Sequence, residues 1–340
     1  MKLVNPGQQQ YQPMSPVMLV NGTHYRIRHH TRFRYGAPIL ESFMEVRMEP
    51  RSDSNQHCQS FSIVTDPSSR IMRYHDYLGN TVNHFNVPGQ HVQLVVKTEA
   101  VVEKRPFSPL PSSLTSQAWL EIDALKANGR YWDYLSSSHY AKKTEKLTAF
   151  AQEIGLDRRM DPLTMLRWLN SVIYEKFSYV PNSTDVDSPI DEALISREGV
   201  CQDFAHIMIA LVRSVGIPCR YVSGYLYHQP NEDRSMEDAS HAWVEVMLPG
   251  IGWVGFDPAN NLLADDRHIC VGIGRDYADV PPTRGVFRGE ADTELDVGVQ
   301  VSRLDETLPL NPPLLANMPW DPPSIDLAGQ YFQQQQQQQQ

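Results

Sequence analysis

The 340-residue chain has 30 Lys and Arg against 40 Asp and Glu, a formal net charge of −10, and no long basic block. Binding to nucleic acid needs a basic face to meet phosphates, so that class of partner is excluded. With 41% hydrophobic and 21% charged residues the composition is that of a folded globular protein, and roughly 150 residues per domain predicts about two domains.

No stretch approaches the ~18 apolar residues of a membrane span, so no membrane partner is expected. The first residues hold Pro6, Pro13 and Pro16 and only a short apolar run, too short for the core of a signal peptide. Cys58, Cys201, Cys219 and Cys270 form no CxxC pair and no Cys/His ligand spacing. That argues against a structural zinc site or a disulfide-stapled scaffold, and for reduced thiols in a cytoplasmic protein.

Residues 1–24 are expected to be a flexible N-terminus. Over residues 25–105, the short alternating runs TRFRY, MEVRM, FSIV and VQLVV are separated by turn residues such as Gly36, Pro50 and Asp66-Pro67. This pattern predicts an antiparallel β-sandwich, with a tight hairpin at Gly79-Asn80. Proline and serine dominate the stretch that follows, and residues 106–120 are expected to be a linker.

A second domain is expected over residues 121–301. KKTEKLTAFAQEIG predicts an amphipathic helix stopped by Gly155, and DPLTMLRWLNSVIYEKF predicts another, with Asp161 as N-cap and Pro162 at the first helical position. GVQVSRL predicts one more strand near the end. Residues 302–340 are proline-rich and finish in a run of glutamines; with no apolar surface to bury they are expected to be disordered.

Within the second domain, REGVCQDFAH places Cys201 at the start of a helix. Phe204, Ile207, Met208, Leu211, Val212 and Val215 follow helical spacing, Ile209 and Ala210 fill other faces, and Gly216 with Pro218 supplies the stop. Such a helix is buried and aims its first turn at one fixed place. Unpaired N–H groups and the positive end of the helix dipole there favour a thiolate and can hold an oxyanion. A free cysteine is ordinarily a small buried hydrophobe, and Cys58, Cys219 and Cys270 take that reading.

A nucleophilic cysteine needs a base, and the chain has twelve histidines. His206 lies inside the buried helix and reads as a core histidine. His241 opens HAWVEVMLPGIGWVGFDPAN, two alternating arms around a turn at Pro249–Gly252, the pattern of a hairpin. Facing residues of an antiparallel pair have a constant index sum, and the midpoint of 241 and 257 is residue 249, inside the turn. His241 and Asp257 are therefore expected within a residue or two of facing each other.

A carboxylate beside an imidazole fixes its tautomer and stabilises the imidazolium formed when a thiol gives up its proton. The alternative is a surface pair at strand ends, contributing under about 1 kcal/mol. A cysteine at a helix start weighs against that alternative.

Taken together, GVCQDFAHIMIALVRSVGIPCRYVSGY, SHAWVEV and GWVGFDPANN resemble the bacterial transglutaminase-like cysteine enzymes of the transglutaminase/papain-like superfamily. YRIRHHTRFRYGAPILESFMEVRMEPR with DYLGNTVNHF resembles the β-domain that precedes the catalytic domain there, and GIGRDYADVPPTRGVFRG resembles the end of those proteins. The resemblance covers most of residues 25–301. It implies an α+β fold, a β-sandwich followed by a papain-like domain with a central helix packed on an antiparallel sheet. It carries the catalytic roles onto Cys201, His241 and Asp257, with no substitution at any of the three.

The chemistry expected is acyl transfer at the amide bonds of a peptide or protein, through a thioester on Cys201, with hydrolysis the expected outcome. Transfer to an amine, as in a transglutaminase, and a non-catalytic peptide-binding or scaffold module are the alternatives. No metal or organic cofactor is required, and no DxDxDG-like calcium loop is present. Tyr179 or Thr184 could line the cleft, Arg275, Asp276 and Tyr277 could shape its substrate end, and Trp243 and Trp253 read as core aromatics.

Overall fold

Alternating apolar residues build four strands in the first third of the chain: β1 (Thr23–Val46), β2 (Gln56–Asp66), β3 (Met72–His75) and β4 (Thr81–Lys104). The computed structural model describes residues 22–304 apart from 107, 108, 116, 128 and 231. In it β1 and β4 pair antiparallel along nearly their whole lengths. Gly36 does not end a strand as expected. The ladder shifts register between Arg34 and Glu41 and continues, so one long bent strand replaces two short ones.

The bend folds the sheet onto itself. Phe33, Leu94 and Leu295 on one side of it share a buried core with Met44, Phe85 and Val87 on the other. The expected sandwich is therefore made by two halves of one six-stranded sheet. The Gly79-Asn80 pair does lie in a hairpin, but in a loop spanning residues 76–80 rather than a two-residue turn. Asp76 accepts hydrogen bonds from the backbone of Leu78 and Asn80 and so organises that loop.

Residues 106–120 are not a free linker. Arg167 donates to the carbonyls of Pro111 and Ser112, Asp161 accepts from the Leu114 N–H, and α1 (Ala118–Ala127) begins within the segment. Two helices match their sequence signals. α2 (Glu145–Ile154) is capped by Thr144 and stopped by Gly155 in the left-handed conformation, and α3 (Pro162–Lys176) starts at Asp161, whose carboxylate accepts from Leu163 and Thr164.

Then β5 (Ser178–Tyr179), α4 (Ile190–Ser196) and β6 (Glu198–Gly199) lead to the central helix, α5 (Cys201–Ser214). A second sheet follows, built from β7 (Cys219–Leu226), β8 (His241–Leu248), β9 (Gly252–Asp257), β10 (Leu262–Leu263) and β11 (His268–Gly274). Its antiparallel order is β10-β9-β8-β7-β11. Phe204, Met208 and Leu211 of α5 pack with Ala242, Val244, Val246 and Phe256 of this sheet in one core. The α+β architecture is the expected one.

The last strands correct the expected domain boundary at residue 301. β12 (Thr283–Arg288) and β13 (Thr293–Leu304) leave the second sheet and both pair with β1 in the first. Beside β4, the long β1 has a second edge with unpaired N–H and C=O groups, and these two strands satisfy it. The two units meet across Tyr25, Ile27, Val102 and Val299 on one side and Tyr225, Ile269 and Val271 on the other. Of the ends expected to be flexible or disordered, Thr23, His24 and residues 302–304 belong to β1 and β13; what remains of 1–24 and 302–340 lies outside the described residues, except Gly22.

Candidate active site

The first turn of α5 is fixed by a buried carboxylate. Val200 sits at the N-cap in extended conformation and has no side-chain acceptor, so Asp203 reaches back instead. Its Oδ2 accepts from the Val200 N–H at 2.8 Å and from Thr184 Oγ1 at 2.6 Å. Burial pushes the Asp203 carboxyl up to about 6 despite both bonds. Thr184 thus supports the helix start rather than lining a cleft. Cys201, the first helical residue, stays partly exposed.

The hairpin registers two residues away from the simplest arithmetic. Val244 pairs with Phe256 and Leu248 with Gly252, which centres the turn on residue 250 and sets Asp257 across from Trp243. An even offset keeps every side chain on its face, so Asp257 is the diagonal neighbour of His241 on the same side. His241 Nε2 lies 2.8 Å from Asp257 Oδ2. Cys201 interacts with the same imidazole and helps raise it.

Electrostatics follow from this line of contacts. Burial alone would pull the His241 imidazole down, but the charge and hydrogen bond of Asp257 outweigh it, and the group is raised to about 10. Asp257 is fully buried, yet its carboxyl is held well below the usual range. Oδ1 accepts from the backbone of Ala259 and Asn260, while Oδ2 faces His241, His268 and the side-chain amide of Asn260. The structure therefore joins Cys201, His241 and Asp257, the three residues singled out from sequence.

Residues 25–103 match the bacterial transglutaminase-like N-terminal region and residues 148–258 match the transglutaminase-like superfamily core. The chain belongs to the transglutaminase-like superfamily. An uncharacterized protein of Mycobacterium leprae is 36% identical over 285 residues, covering 82% of this chain and 98% of its own. A protein-glutamine gamma-glutamyltransferase of Pseudomonas aeruginosa is 34% identical over 152 residues, 42% of this chain and 23% of its own. The crystal structure of a candidate cysteine protease from Cytophaga hutchinsonii superposes with a TM-score of 0.65 at 19% identity. It covers 85% of this chain and 93% of that one, a likeness of fold.

Two residues of this transglutaminase-like site escape the sequence reading. His268 opens β11, and its Nε2 lies 3.2 Å from Asp257 Oδ2. Asn260 donates to Asp257 and to Ser235, and its Oδ1 accepts from the backbone of Arg234 and Ser235, tying the loop before β8 to the carboxylate. An asparagine three residues after Asp257 in FDPAN was the available signal for the second. For His268 there was none nearby.

The remaining candidates take structural roles. His206 stacks between Tyr140 and Tyr221 with centroids 5.3 and 5.1 Å away, accepts from the Tyr277 N–H, and is pushed down by burial to about 3. Arg275 grips Asp279, whereas Asp276 caps Ala278 and Tyr140. Tyr179 packs edge-on against Phe204. Trp243 is in the core as expected; Trp253 is not, being half-buried under the Arg220 guanidinium at 4.1 Å.

His241, Asp257 and His268 each bring a potential metal ligand within 4.8 Å of the others. Their spacing is that of hydrogen bonds: 2.8 Å from nitrogen to carboxylate is shorter than the roughly 3.3 Å that tetrahedral donors about 2.0 Å from zinc would keep. Among the described residues, no helix is long and apolar enough to cross a membrane.

Proposed function

We propose that the protein is a cysteine acyl-transfer enzyme acting on amide bonds of a peptide or protein, with Cys201 as nucleophile, His241 as acid and base, and Asp257 as the group that orients His241. The observation that carries the proposal is the buried His241–Asp257 contact of 2.8 Å, with Cys201 at the start of α5 acting on the same imidazole. A buried imidazole raised this far readily holds the thiol's proton.

In the first half-reaction the Cys201 sulfur bonds to the amide carbon while His241 holds the proton. His241 then gives that proton to the leaving nitrogen, the C–N bond breaks, and a thioester remains. The Cys201 backbone N–H, at the start of α5, is the donor assigned to the developing oxyanion. In the second half-reaction His241 takes a proton from water, oxygen bonds to the carbon, and the C–S bond breaks.

Hydrolysis is the leading reading, in a reducing, cytoplasmic setting that suits four free thiols. Transfer to an amine is the second, favoured by likeness to the gamma-glutamyltransferase. Incubating the protein with a glutamine-containing peptide, with and without a labelled primary amine, tests both. Ammonia and a free carboxylate support hydrolysis, conjugate supports transfer, and an unchanged broad peptide library with no acyl adduct on Cys201 would sink the enzymatic reading.

A further inference from the structure

The oxygen that binds His241 is shared. Asp257 Oδ2 also meets His268 Nε2 at 3.2 Å, although His268 is on β11, beyond β7 and β8 from Asp257 on β9. Gly224 on β7, the pairing partner of His241, carries no side chain, and the Trp243 ring lies over it. A Cβ there would stand 2.7 Å from the Trp243 ring. His268 is 1% exposed and fastened on every side. Its ring sits edge-on to Trp243 at 5.3 Å, its carbonyl accepts from Lys104 Nζ at 2.6 Å, and its Nδ1 lies 3.0 Å from Asp265 Oδ1 and 3.2 Å from the Asp265 N–H.

We propose that His268, backed by Asp265, is a positioning residue for the acyl-transfer site: it holds the Asp257 carboxylate ionised and aimed at His241. The inference rests on the Cys201–His241–Asp257 reading. Against a carboxylate oxygen His268 Nε2 carries its hydrogen, and that donor replaces a water Asp257 cannot reach. Nδ1 then has two partners at one place. It accepts from the Asp265 N–H when the ring is neutral, and donates to Asp265 Oδ1 when the ring is protonated, so either state keeps the bond to Asp257.

Besides Asp257, His241 on β8 and Asp265 before β11 face the ring; Lys104 on β4 holds the His268 carbonyl, and Arg267 pairs with Asp265. Asp265 and His268 also line a cavity of about 290 Å³ between the two sheets, with Lys104, Trp243, Glu245 and Cys270. The far end of the chain of contacts therefore meets solvent while its near end at Asp257 stays dry.

Removing the His268 donor makes Asp257 easier to protonate and weakens its hold on the His241 imidazolium. The thiolate–imidazolium pair then forms only at higher pH. The test is the rate of Cys201 alkylation by iodoacetamide against pH, in wild type, His241→Ala, His268→Leu and His268→Gln, with thermal melts to verify folding. His268→Leu should alkylate about tenfold more slowly at pH 6, with its acid limb moved up by about one unit, and His268→Gln, which keeps an N–H, should recover to within about threefold. If His268→Leu does not fold, Asp265→Asn should move the limb in the same direction by less. Wild type and His241→Ala reacting alike would overturn the triad reading and this one with it. A clear difference between those two, with no shift in the His268→Leu or Asp265→Asn profile, would overturn the role of His268 alone.

Discussion

His241 Nε2 and Asp257 Oδ2 lie 2.8 Å apart across two strands whose register sets Asp257 opposite Trp243, not opposite His241. The contact is diagonal and fully enclosed. Replacing Asp257 with asparagine keeps the volume but removes the charge that stabilises the imidazolium, and it can present an N–H where His241 needs an acceptor. Amide turnover should fall by roughly 10²–10⁴-fold, measured as kcat with the same substrate for both proteins.

The same pair makes stability depend on pH. His241 is raised from 6.5 to about 10, so the folded protein binds its proton more tightly than the unfolded chain does. That contribution is fully present below 6.5 and is lost as pH rises through about 10. The Tm advantage of wild type over His241→Gln should shrink between pH 7 and 10.5 by scanning calorimetry; an advantage that grows over this window contradicts the assignment.

Thiol selectivity follows from burial. Cys270 and Cys219 are buried and pushed up to about 12 and about 11, chiefly by desolvation; Cys58 is partly exposed, as Cys201 is, but desolvation and the nearby Glu49 push it up to about 12, whereas Cys201 lies beside His241. A short pulse of iodoacetamide at pH 7 followed by peptide mass mapping should find label on Cys201 and almost none on the other three.

Asp203 carries the opposite sign from an ordinary ion-paired carboxylate. Its folded-state value of about 6 lies above the ordinary 3.8, so its contribution to stability is full below 3.8 and is lost as pH rises through about 6. Relative to wild type, Asp203→Asn should therefore gain in Tm between pH 4 and pH 7. Its alkylation rate at Cys201 should fall, because the bonds to Thr184 and Val200 that fix the helix start are altered.

Gly224 has no room for a side chain. A Cβ would lie 2.2 Å from the Ile269 carbonyl oxygen, which belongs to the neighbouring strand and cannot simply rotate away. Gly224→Ala should cost about 1–3 kcal/mol or more in urea unfolding. Because Gly224 pairs with His241, Cys201 alkylation should slow as well.

What could be read from sequence was local. Asp161 with Pro162, the apolar spacing from Phe204 to Val215, and the paired arms around Pro249–Gly252 each carry their signal within about twenty residues, and each element formed. The hairpin reading tolerated a two-residue error because parity, not register, decides the face. His268 was invisible because its link to Asp257 depends on strand order and on an empty position at Gly224. The return of β13 was equally hidden: Tyr25 pairs with Arg303, and nothing near either residue names the other. Gly36 predicts a strand end, whereas the ladder absorbs a bend there and the strand runs on.

That pairing of β1 with β12 and β13 gives the chain a nested order of assembly. The second unit is threaded through the first sheet as an insertion, with both of its connections, β4 and β12, fastened to the same strand β1. A ribosome has finished the helix and hairpin carrying Cys201, His241 and Asp257 before it releases the last two strands of the opening sheet. The β-domain, although first in sequence, is the last part able to close, and deleting residues 283–304 would strip an edge from the beginning of the protein rather than trim its end.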